Sequence, residues 1–313
     1  MGYKLAGYDV LGGVEIDPQM VKVYKANHKP KISYVMGVQD FNKIPRNQLP
    51  KELFNLDILD GSPPCSSFSM SGSREKAWGD KKKFREGQAD QVLDDLFFHF
   101  IETARILQPK IVIAENVKGL VIGKAKGYVK QIAKAFDLAG YDLQLFLLNA
   151  AFMGVPQKRE RTFFIGKRKS ANVPKLSLKF KEPLIPAEKA FEGIECLGKE
   201  LSPDQLKWWK LCKPGFAFSS VHPKGHWFNA FKLHKSSIAP TLTASGGNAE
   251  PFHWSKPRKI SDAGMLRLQT FPDDFQAGPI GAKYICGMSV PPFMTQRIAL
   301  EIQKQWLDKW PAK

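Results

Sequence analysis

Long hydrophobic runs and paired cysteines are absent from this sequence. No apolar run reaches the roughly 20 residues that a membrane-spanning helix needs. Met1-Gly2-Tyr3-Lys4 leads into no apolar core segment, so we expect no secretory signal peptide. No two cysteines have CxxC spacing, which argues against a disulfide framework and a zinc site; the four are Cys65, Cys196, Cys212 and Cys286. These absences predict a protein of a reducing cytoplasm, without membrane partner or bound metal.

Acidic residues are scarce relative to basic ones. Lys and Arg number 47 against 30 Asp and Glu, which gives a formal net charge of +17 and a pI near 9.6. Such an excess suits a polyanionic partner, because each phosphate neutralised by Lys or Arg releases counterions. A merely solvated basic surface explains the charge equally well, so composition leaves both interpretations open. With 313 residues, the chain can form one large domain and a smaller one.

The most informative stretch runs from Leu56 to Ser69. Apolar, β-favouring residues lead to Gly61, and Pro63 and Pro64 then stiffen the turn that carries Cys65. Ligands of open parallel α/β sheets lie beyond the carboxyl ends of the strands, so we expect chemistry here. A lone cysteine is more often a small buried hydrophobe. However, small polar residues follow Cys65 and continue no apolar pattern, so we interpret its thiol as a candidate nucleophile.

Three further stretches accompany the Pro-Pro-Cys turn. They are Ala114-Glu115-Asn116-Val117, Gly154-Val155-Pro156-Gln157-Lys158-Arg159-Glu160-Arg161 and Ser289-Val290-Pro291-Pro292. Their order and spacing resemble those of the cytosine-C5-specific DNA methyltransferases of bacteria and phages. Each stretch alone is a weak signal, but four in register are specific. The resemblance extends from about Gly7 to the C-terminus, with a variable gap from Asn172 to Pro240.

The resemblance implies an α/β fold with two parts. The first is a Rossmann-like methyltransferase domain that binds S-adenosyl-L-methionine on a mostly parallel sheet, and the second is a smaller target-recognition domain. We place the first at residues 1–171, completed by 279–313, and the second at 172–278, where prolines, lysines and short apolar runs change the composition. Aromatic and basic residues interleave from Lys207 to Lys232, which fits a nucleic-acid face. Aromatic residues in a small domain are first of all its core, so both interpretations stay open.

The resemblance also implies catalytic roles for four side chains. Cys65 attacks carbon-6 of a flipped-out cytosine, because carbon-5 alone is a poor nucleophile. Glu115 hydrogen-bonds the ring nitrogen. Arg159 and Arg161 alternate along a predicted strand, which puts both on one face, suited to a pyrimidine carbonyl and nearby anionic groups. The small and cationic residues from Ser69 to Arg85 correspond to the loop that closes over the target base.

Seven residues match positions that bind S-adenosylmethionine in the family. Glu15 ends a predicted strand, where acids commonly accept hydrogen bonds from ribose hydroxyls. Backbone groups near Val38 meet the adenine, since the acid usual at this place is displaced along the chain to Asp40. The full set is Glu15, Ile16, Val38, Pro64, Leu96, Ser289 and Val290.

Three departures from the family pattern carry predictions. Gly264 stands where an acid usually precedes Arg267, so we expect that arginine to have lost its partner. Met288 replaces an asparagine, which predicts a lost polar contact on the cofactor side. The strand and Phe-x-Gly-x-Gly turn that open the family's cofactor site do not precede Glu15. We therefore expect unpaired strand edges, weak cofactor binding and weak activity from a truncated or degenerate relative.

Periodicity predicts the remaining elements. Helices are predicted at Pro18–His28, Val92–Leu107, Tyr128–Ala139 and Pro291–Trp310, and strands at Lys110–Ala114 and Asp142–Leu148. In the last helix, Phe293, Ile298, Ile302 and Trp306 are expected to pack on the first domain.

Other enzyme classes fit less well. A zinc cytidine deaminase needs a second cysteine soon after the first, and Ser67 and Phe68 stand there instead. Amino-group methyltransferases continue a Ser-Pro-Pro turn into an aromatic residue, and Cys65 occupies that place. Two alternatives remain, an RNA cytosine-C5 methyltransferase of the same family and a DNA-binding relative without catalysis. We expect double-stranded DNA as substrate and a separate cognate restriction endonuclease, as in restriction–modification or phage systems.

Overall fold

The computed structural model describes residues 1–63, 81–82, 91–92, 95–121, 126–244 and 250–311. Pro64, Cys65 and most of the predicted base-closing loop lie outside these ranges. The elements in chain order are α1 (Gly2–Leu5), β1 (Gly12–Glu15), α2 (Pro18–His28), β2 (Ile32–Val35), α3 (Val38–Phe41), β3 (Ile58–Gly61), β4 (Lys81–Lys82), β5 (Gln91–Val92), α4 (Leu96–Leu107), β6 (Ile111–Val117), α5 (Lys126–Leu138), β7 (Tyr141–Asn149), β8 (Glu160–Arg168), α6 (Ala187–Ala190), β9 (Leu197–Glu200), α7 (Pro203–Leu211), β10 (Phe231–Lys232), β11 (Pro251–Phe252), β12 (Arg258–Ile260), α8 (Asp262–Leu268), α9 (Ala282–Met288) and α10 (Pro292–Gln305).

The main sheet has the strand order β3-β6-β8-β7. β3 and β6 are parallel, and β8 runs antiparallel to both of its neighbours, so three of the four strands point the same way. The first six residues of β6 are all buried, as expected of a strand covered on both faces. The α/β fold predicted from the sequence is confirmed, but the sheet is mixed, because the β6–β8 and β8–β7 pairings are antiparallel.

β1 and β2 form a separate parallel pair. Among the described residues, β1 and β3 each pair on one side only, in agreement with the unpaired strand edges expected from the sequence. Val14 of β1 and Leu59 of β3 nevertheless pack on one hydrophobic cluster, whose buried members include Phe41 and Leu107. The two sheets therefore share a core, although no strand ladder in the described part of the chain joins them.

Helices cover both faces of the main sheet. Val112 and Ala114 pack on one side with α4 and α5, through Phe97 and Phe136. Their neighbours on β6 alternate to the other side, where Ile111 and Ile113 pack with α10. The buried residues of α10 that meet this cluster are Met294, Ile298 and Ile302, and Trp306 follows directly after the helix.

Two details of these helices correct the sequence predictions. α4 begins at Leu96 rather than Val92, because Val92 lies in β5, where it pairs with Lys81. Phe293 is 37% exposed, and Met294 is buried in its place. Met294 precedes Ile298 by four residues and shares its face, whereas Phe293 is one position out of phase.

Residues 187–286 contribute two further hydrophobic clusters and a small sheet of order β10-β11-β12-β9. The smaller cluster surrounds Phe218 and Phe252. The larger one also includes Val23 of α2 and Cys286 of α9. The predicted boundaries at 172 and 278 therefore stay predictions. Across the described part of the chain, no helix has both the length and the apolar composition to cross a membrane.

Candidate active site

A buried ion pair lies near the carboxyl end of β6. Oε1 of Glu115 lies 3.0 Å from Nε of Arg161, and the two side chains are 11% and 14% exposed. Arg161 lies opposite Val117 in the antiparallel register, so Glu115 is its diagonal neighbour on the same face. Burial lowers the pKa of Arg161, and the Glu115 charge opposes that shift. Both residues were predicted to be catalytic, and the structure brings them together.

Asn116 ties the beginning of the Pro-Pro turn to the same strand. Its Nδ2 donates a buried hydrogen bond of 2.9 Å to the carbonyl oxygen of Pro63, and its Oδ1 accepts from the backbone N–H of Val117. The side chain is therefore held at both ends. The carbonyl of Pro63 is thereby tied to Asn116, which follows Glu115 on β6, whereas Pro64 and Cys65 lie outside the described residues.

Arg159 lies just before β8 and is 1% exposed. Its Nη1 donates to the carbonyl of Leu242 at 2.9 Å, and its Nη2 donates to the carbonyl of Gly287 at 2.8 Å. Burial, followed by the charge of Arg161, lowers the pKa of Arg159 to about 9, so it stays charged at neutral pH. These partners are backbone carbonyls of two distant segments, and the predicted contacts of Arg159 with substrate groups stay predictions.

The sequence assigned no role to two fully buried glutamines near this arginine. Gln157 donates to Oε1 of Gln269 at 2.6 Å, and Gln269 donates to the carbonyl of Ser289 at 2.8 Å. Gln157 lies in the stretch that ends with Arg161, which the resemblance to the family singled out. The resemblance did not predict its hydrogen bond to Gln269. Only the fold brings residues 112 positions apart into one hydrogen bond.

Three predicted cofactor residues meet at the carboxyl ends of β1 and β2. Glu15 is exposed at the end of β1, and its Oε1 accepts from the backbone N–H of Asp17 at 2.9 Å. Ile16 and Val38 are both half-buried. Ile16 follows Glu15 directly, and Val38 comes three residues after Val35, the residue that pairs with Glu15 in the parallel register. A Cβ built on Gly13 would meet no described atom within 4 Å. An exposed carboxylate beside aliphatic side chains and open space fits the ribose and purine of S-adenosylmethionine.

The remaining predicted cofactor residues lie on other elements. Val290 packs on the same cluster as Ile58 of β3. Ser289 is half-buried, and its Oγ accepts from Nε2 of Gln269 at 3.2 Å. Leu96 is buried at the start of α4, and Pro64 lies outside the described residues. Within the described ranges, no group of three or more His, Cys, Asp or Glu is arranged to hold a metal ion.

The contacts of Arg267 and Lys232 correct two predictions for the second region. Arg267 forms an ion pair with Asp273, so the glycine at 264 has not left it without an acid. Lys232 is buried, with Nζ donating at 3.0 Å to the carbonyls of both Trp209 and Cys212. It belongs to the core of this region rather than to a nucleic-acid face. The exposed lysines between 207 and 232 are Lys207, Lys210, Lys213 and Lys224.

Comparison with known proteins identifies the family. The model of the C-5 cytosine-specific DNA methylase family matches residues 1–304. The type II methyltransferase M.FnuDI of Fusobacterium nucleatum is 33% identical, with 99% of this chain and 92% of that protein covered. M.NgoPII of Neisseria gonorrhoeae is 29% identical, with 97% and 92% covered.

A solved structure has the same fold. The crystal structure of a putative DNA modification methyltransferase encoded within a prophage (E. coli) superposes with a TM-score of 0.69 and 21% identity. The superposition covers 97% of this chain and 94% of that one. Since the family model matches nearly the whole sequence, this chain belongs to the C-5 cytosine-specific DNA methylases, enzymes whose methyl donor is S-adenosyl-L-methionine.

Proposed function

We propose that this chain methylates carbon-5 of a flipped-out cytosine in double-stranded DNA through a covalent adduct on Cys65. The observation that carries the proposal is the hydrogen bond from Asn116 to Pro63 beside the Glu115–Arg161 pair. It ties the carbonyl oxygen of Pro63 to Asn116, the residue that follows Glu115 on β6. Cys65 follows Pro63 by two residues in the sequence. We propose that its thiol and the Glu115 carboxyl group act on one pyrimidine ring.

In the proposed mechanism, the Cys65 thiolate forms a bond to carbon-6 of the cytosine. The electron pair of the carbon-5–carbon-6 double bond shifts to carbon-5 and is delocalised through carbon-4 onto nitrogen-3, where the developing charge is neutralised by a proton held between nitrogen-3 and the Glu115 carboxyl group. Carbon-5 becomes nucleophilic and takes the methyl group. A base then removes the proton from carbon-5, the double bond re-forms and the thiolate leaves. The cofactor supplies an electrophilic methyl group on a sulfonium.

The ion pair gives Arg161 a defined task in this mechanism. Its guanidinium holds one carboxylate oxygen of Glu115, so the carboxyl group cannot rotate away from the ring. Because both side chains are withdrawn from water, their interaction is stronger than at the surface. Arg161 is thus proposed to orient the acid and to lie within reach of the pyrimidine carbonyl.

Cofactor and target are proposed to bind on different parts of the chain. Glu15, Ile16 and Val38 hold the nucleoside at the ends of β1 and β2, and Ser289 and Val290 lie on the cofactor side before α10. Residues 172–278 are proposed to read the target sequence. Their exposed lysines suit DNA phosphates, which position a protein without specifying sequence.

The biological setting is proposed from the relatives. M.FnuDI and M.NgoPII are named as type II methyltransferases. We propose that this chain likewise modifies sites in a bacterial or phage genome, with a restriction endonuclease as a separate cognate partner.

Trapping with 5-fluorocytosine tests the proposal, because fluorine blocks the removal step and leaves the adduct intact. DNA duplexes carrying the base at target sites, located by bisulfite sequencing, should yield a complex that survives denaturant. Cys65→Ala should abolish trapping but keep DNA binding, and Glu115→Gln should slow methylation by about 100-fold or more. Cys196→Ala is the matched control, since Cys196 is partly exposed and remote in sequence. Trapping that persists in Cys65→Ala, or occurs only with an RNA probe, would contradict the proposal.

A further inference from the structure

Gln157 and Gln269 form an unbroken chain of buried hydrogen bonds between residues 239–244 and Ser289. The backbone N–H of Leu242 donates to Oε1 of Gln157 at 3.0 Å, and Nε2 of Gln157 donates to Oε1 of Gln269 at 2.6 Å. Nε2 of Gln269 then donates to the carbonyl oxygen of Ser289 at 2.8 Å. Both glutamine side chains are fully buried. We call these four residues the glutamine relay.

The two ends of the relay fix its direction. A backbone N–H only donates and a carbonyl oxygen only accepts, so Gln157 must present its oxygen to Leu242, and Gln269 must present its nitrogen to Ser289. If either amide turned over, two oxygen atoms would face each other inside the protein, where an unsatisfied polar group is costly. Bonds in such a chain also polarise one another. The positions of Leu242 and Ser289 therefore depend on both amides.

Two contacts beside the relay hold the same segments together. Arg159 bridges the carbonyls of Leu242 and Gly287 with its two Nη atoms. A Cβ on Gly287 would lie 2.0 Å from the backbone nitrogen of Ala244, so only glycine permits this approach. Residues 242–244 and 287–289 thus pack backbone to backbone, and both are anchored to the stretch that leads into β8.

We propose that Gln157 and Gln269 are positioning residues that couple cofactor binding to DNA binding. The inference rests on the proposed function, which puts Ser289 on the cofactor side and residues 239–244 in the target-reading region. A cofactor seated against Ser289 holds Gln269 in its one permitted orientation, and Gln269 in turn holds Gln157 and Leu242. The coupling is reciprocal, so DNA that orders residues 239–244 also strengthens cofactor binding.

Hydrogen–deuterium exchange tests the relay without any ligand. Gln269→Met keeps the side-chain volume but removes the amide, so Nε2 of Gln157 loses its 2.6 Å acceptor and keeps only the longer 3.3 Å bond to the carbonyl oxygen of Leu268. The peptide 239–244 should exchange roughly tenfold faster, the scale of one lost hydrogen bond. Gln144→Met is the matched control, because Gln144 also clamps a backbone through two bonds, with Leu176 at 2.7 and 3.0 Å, and should leave that peptide unchanged. Unchanged exchange in Gln269→Met would overturn the proposal.

A second variant keeps the proposal testable if Gln269→Met does not fold. Gln157→Met removes the other amide, and the prediction is then faster exchange in the peptide around Ser289. Where neither variant folds, calorimetry on the unsubstituted protein decides. S-adenosylhomocysteine should bind about 5- to 150-fold more tightly in the presence of a DNA duplex. Equal affinity with and without DNA would exclude the coupling. Failure of the proposed function itself would appear separately, as an absence of trapping by 5-fluorocytosine DNA.

Discussion

Nε of Arg161 lies 3.0 Å from Oε1 of Glu115, on antiparallel strands that bring the two residues together diagonally. Removing charge from water is costly, and this cost is offset only while each partner keeps the other. The pair is therefore a place where a substitution affects both the chemistry and the stability of the fold. The two effects can be separated by comparing single and double variants.

The first prediction concerns this pair. Arg161→Met should lower the free energy of unfolding by about 3–5 kcal/mol, because it leaves the Glu115 carboxylate buried without a counter-charge. The double variant with Glu115→Gln should be more stable than Arg161→Met alone. Urea unfolding measures both. Lys43→Met breaks an exposed pair with Asp40 and should change stability by less than about 0.5 kcal/mol. A double variant less stable than the single one would contradict the argument.

The second prediction concerns Gly287 in α9. Gly287→Ala should destabilise the protein by about 2–3 kcal/mol, because the new Cβ would overlap the backbone of Ala244. In an open helix position the same change is favourable. A Cβ added to Gly127 of α5 would meet no described atom within 4 Å, so Gly127→Ala should gain up to about 1 kcal/mol. Thermal unfolding should therefore shift in opposite directions for the two variants, and a shared direction would refute the close approach.

The third prediction separates two lysines of the second region. Lys232→Met should reduce stability by about 2–4 kcal/mol, since two buried carbonyls lose their donor. Lys210→Gln should leave stability unchanged and weaken DNA binding, with the salt dependence reduced by about one counterion. Unfolding curves and binding titrations at several salt concentrations make the comparison. If Lys210→Gln left DNA affinity unaltered, Lys210 would not contact phosphates.

The fourth prediction is a pH dependence at His28. Burial, followed by the charges of the amino terminus and Lys4, lowers the pKa of His28 to about 4 from its usual 6.5. Between these values the unfolded chain binds a proton that the folded chain does not, so stability falls as the pH falls from 6.5 to 4. His28→Gln should remove most of this loss, because glutamine takes up no proton in this window. Unfolding curves of both proteins at pH 7 and pH 4 give the comparison, and parallel losses would show that another group is responsible.

Local sequence determined much of the fold. The apolar run from Ile111 to Ala114 predicted a buried strand, and the structure extends it to Val117 so that it also carries Glu115. The helix at Pro18–His28 was predicted with its bounds, because Asp17 and Pro18 are strong start signals. Glu115 and Arg161 were both predicted to be catalytic, and in the structure they form an ion pair.

Contacts between distant segments were not predictable in this way. Lys232 looks like a solvent-facing cation in the sequence, yet two carbonyls and the Trp209 ring bury it. Arg267 was expected to lack an acid because only the preceding residues were considered, and its partner Asp273 follows it. Burial of a polar side chain depends on which segments the chain folds over it, and local patterns do not record that.

Because β8 runs antiparallel to its neighbours, its side chains reach the ligand-binding edge of the sheet at the start of the strand. A parallel strand brings residues to the ligand edge only as it ends, after its whole length has crossed the sheet. β8 begins there instead, and β7 ends there, so the ten residues 150–159 join them without crossing the molecule. Most of this short connection is buried, including Ala150, Met153 and Val155. Arg161 is thereby anchored by a fixed corner of the fold, and an insertion in 150–159 should be tolerated far less than one in an exposed loop.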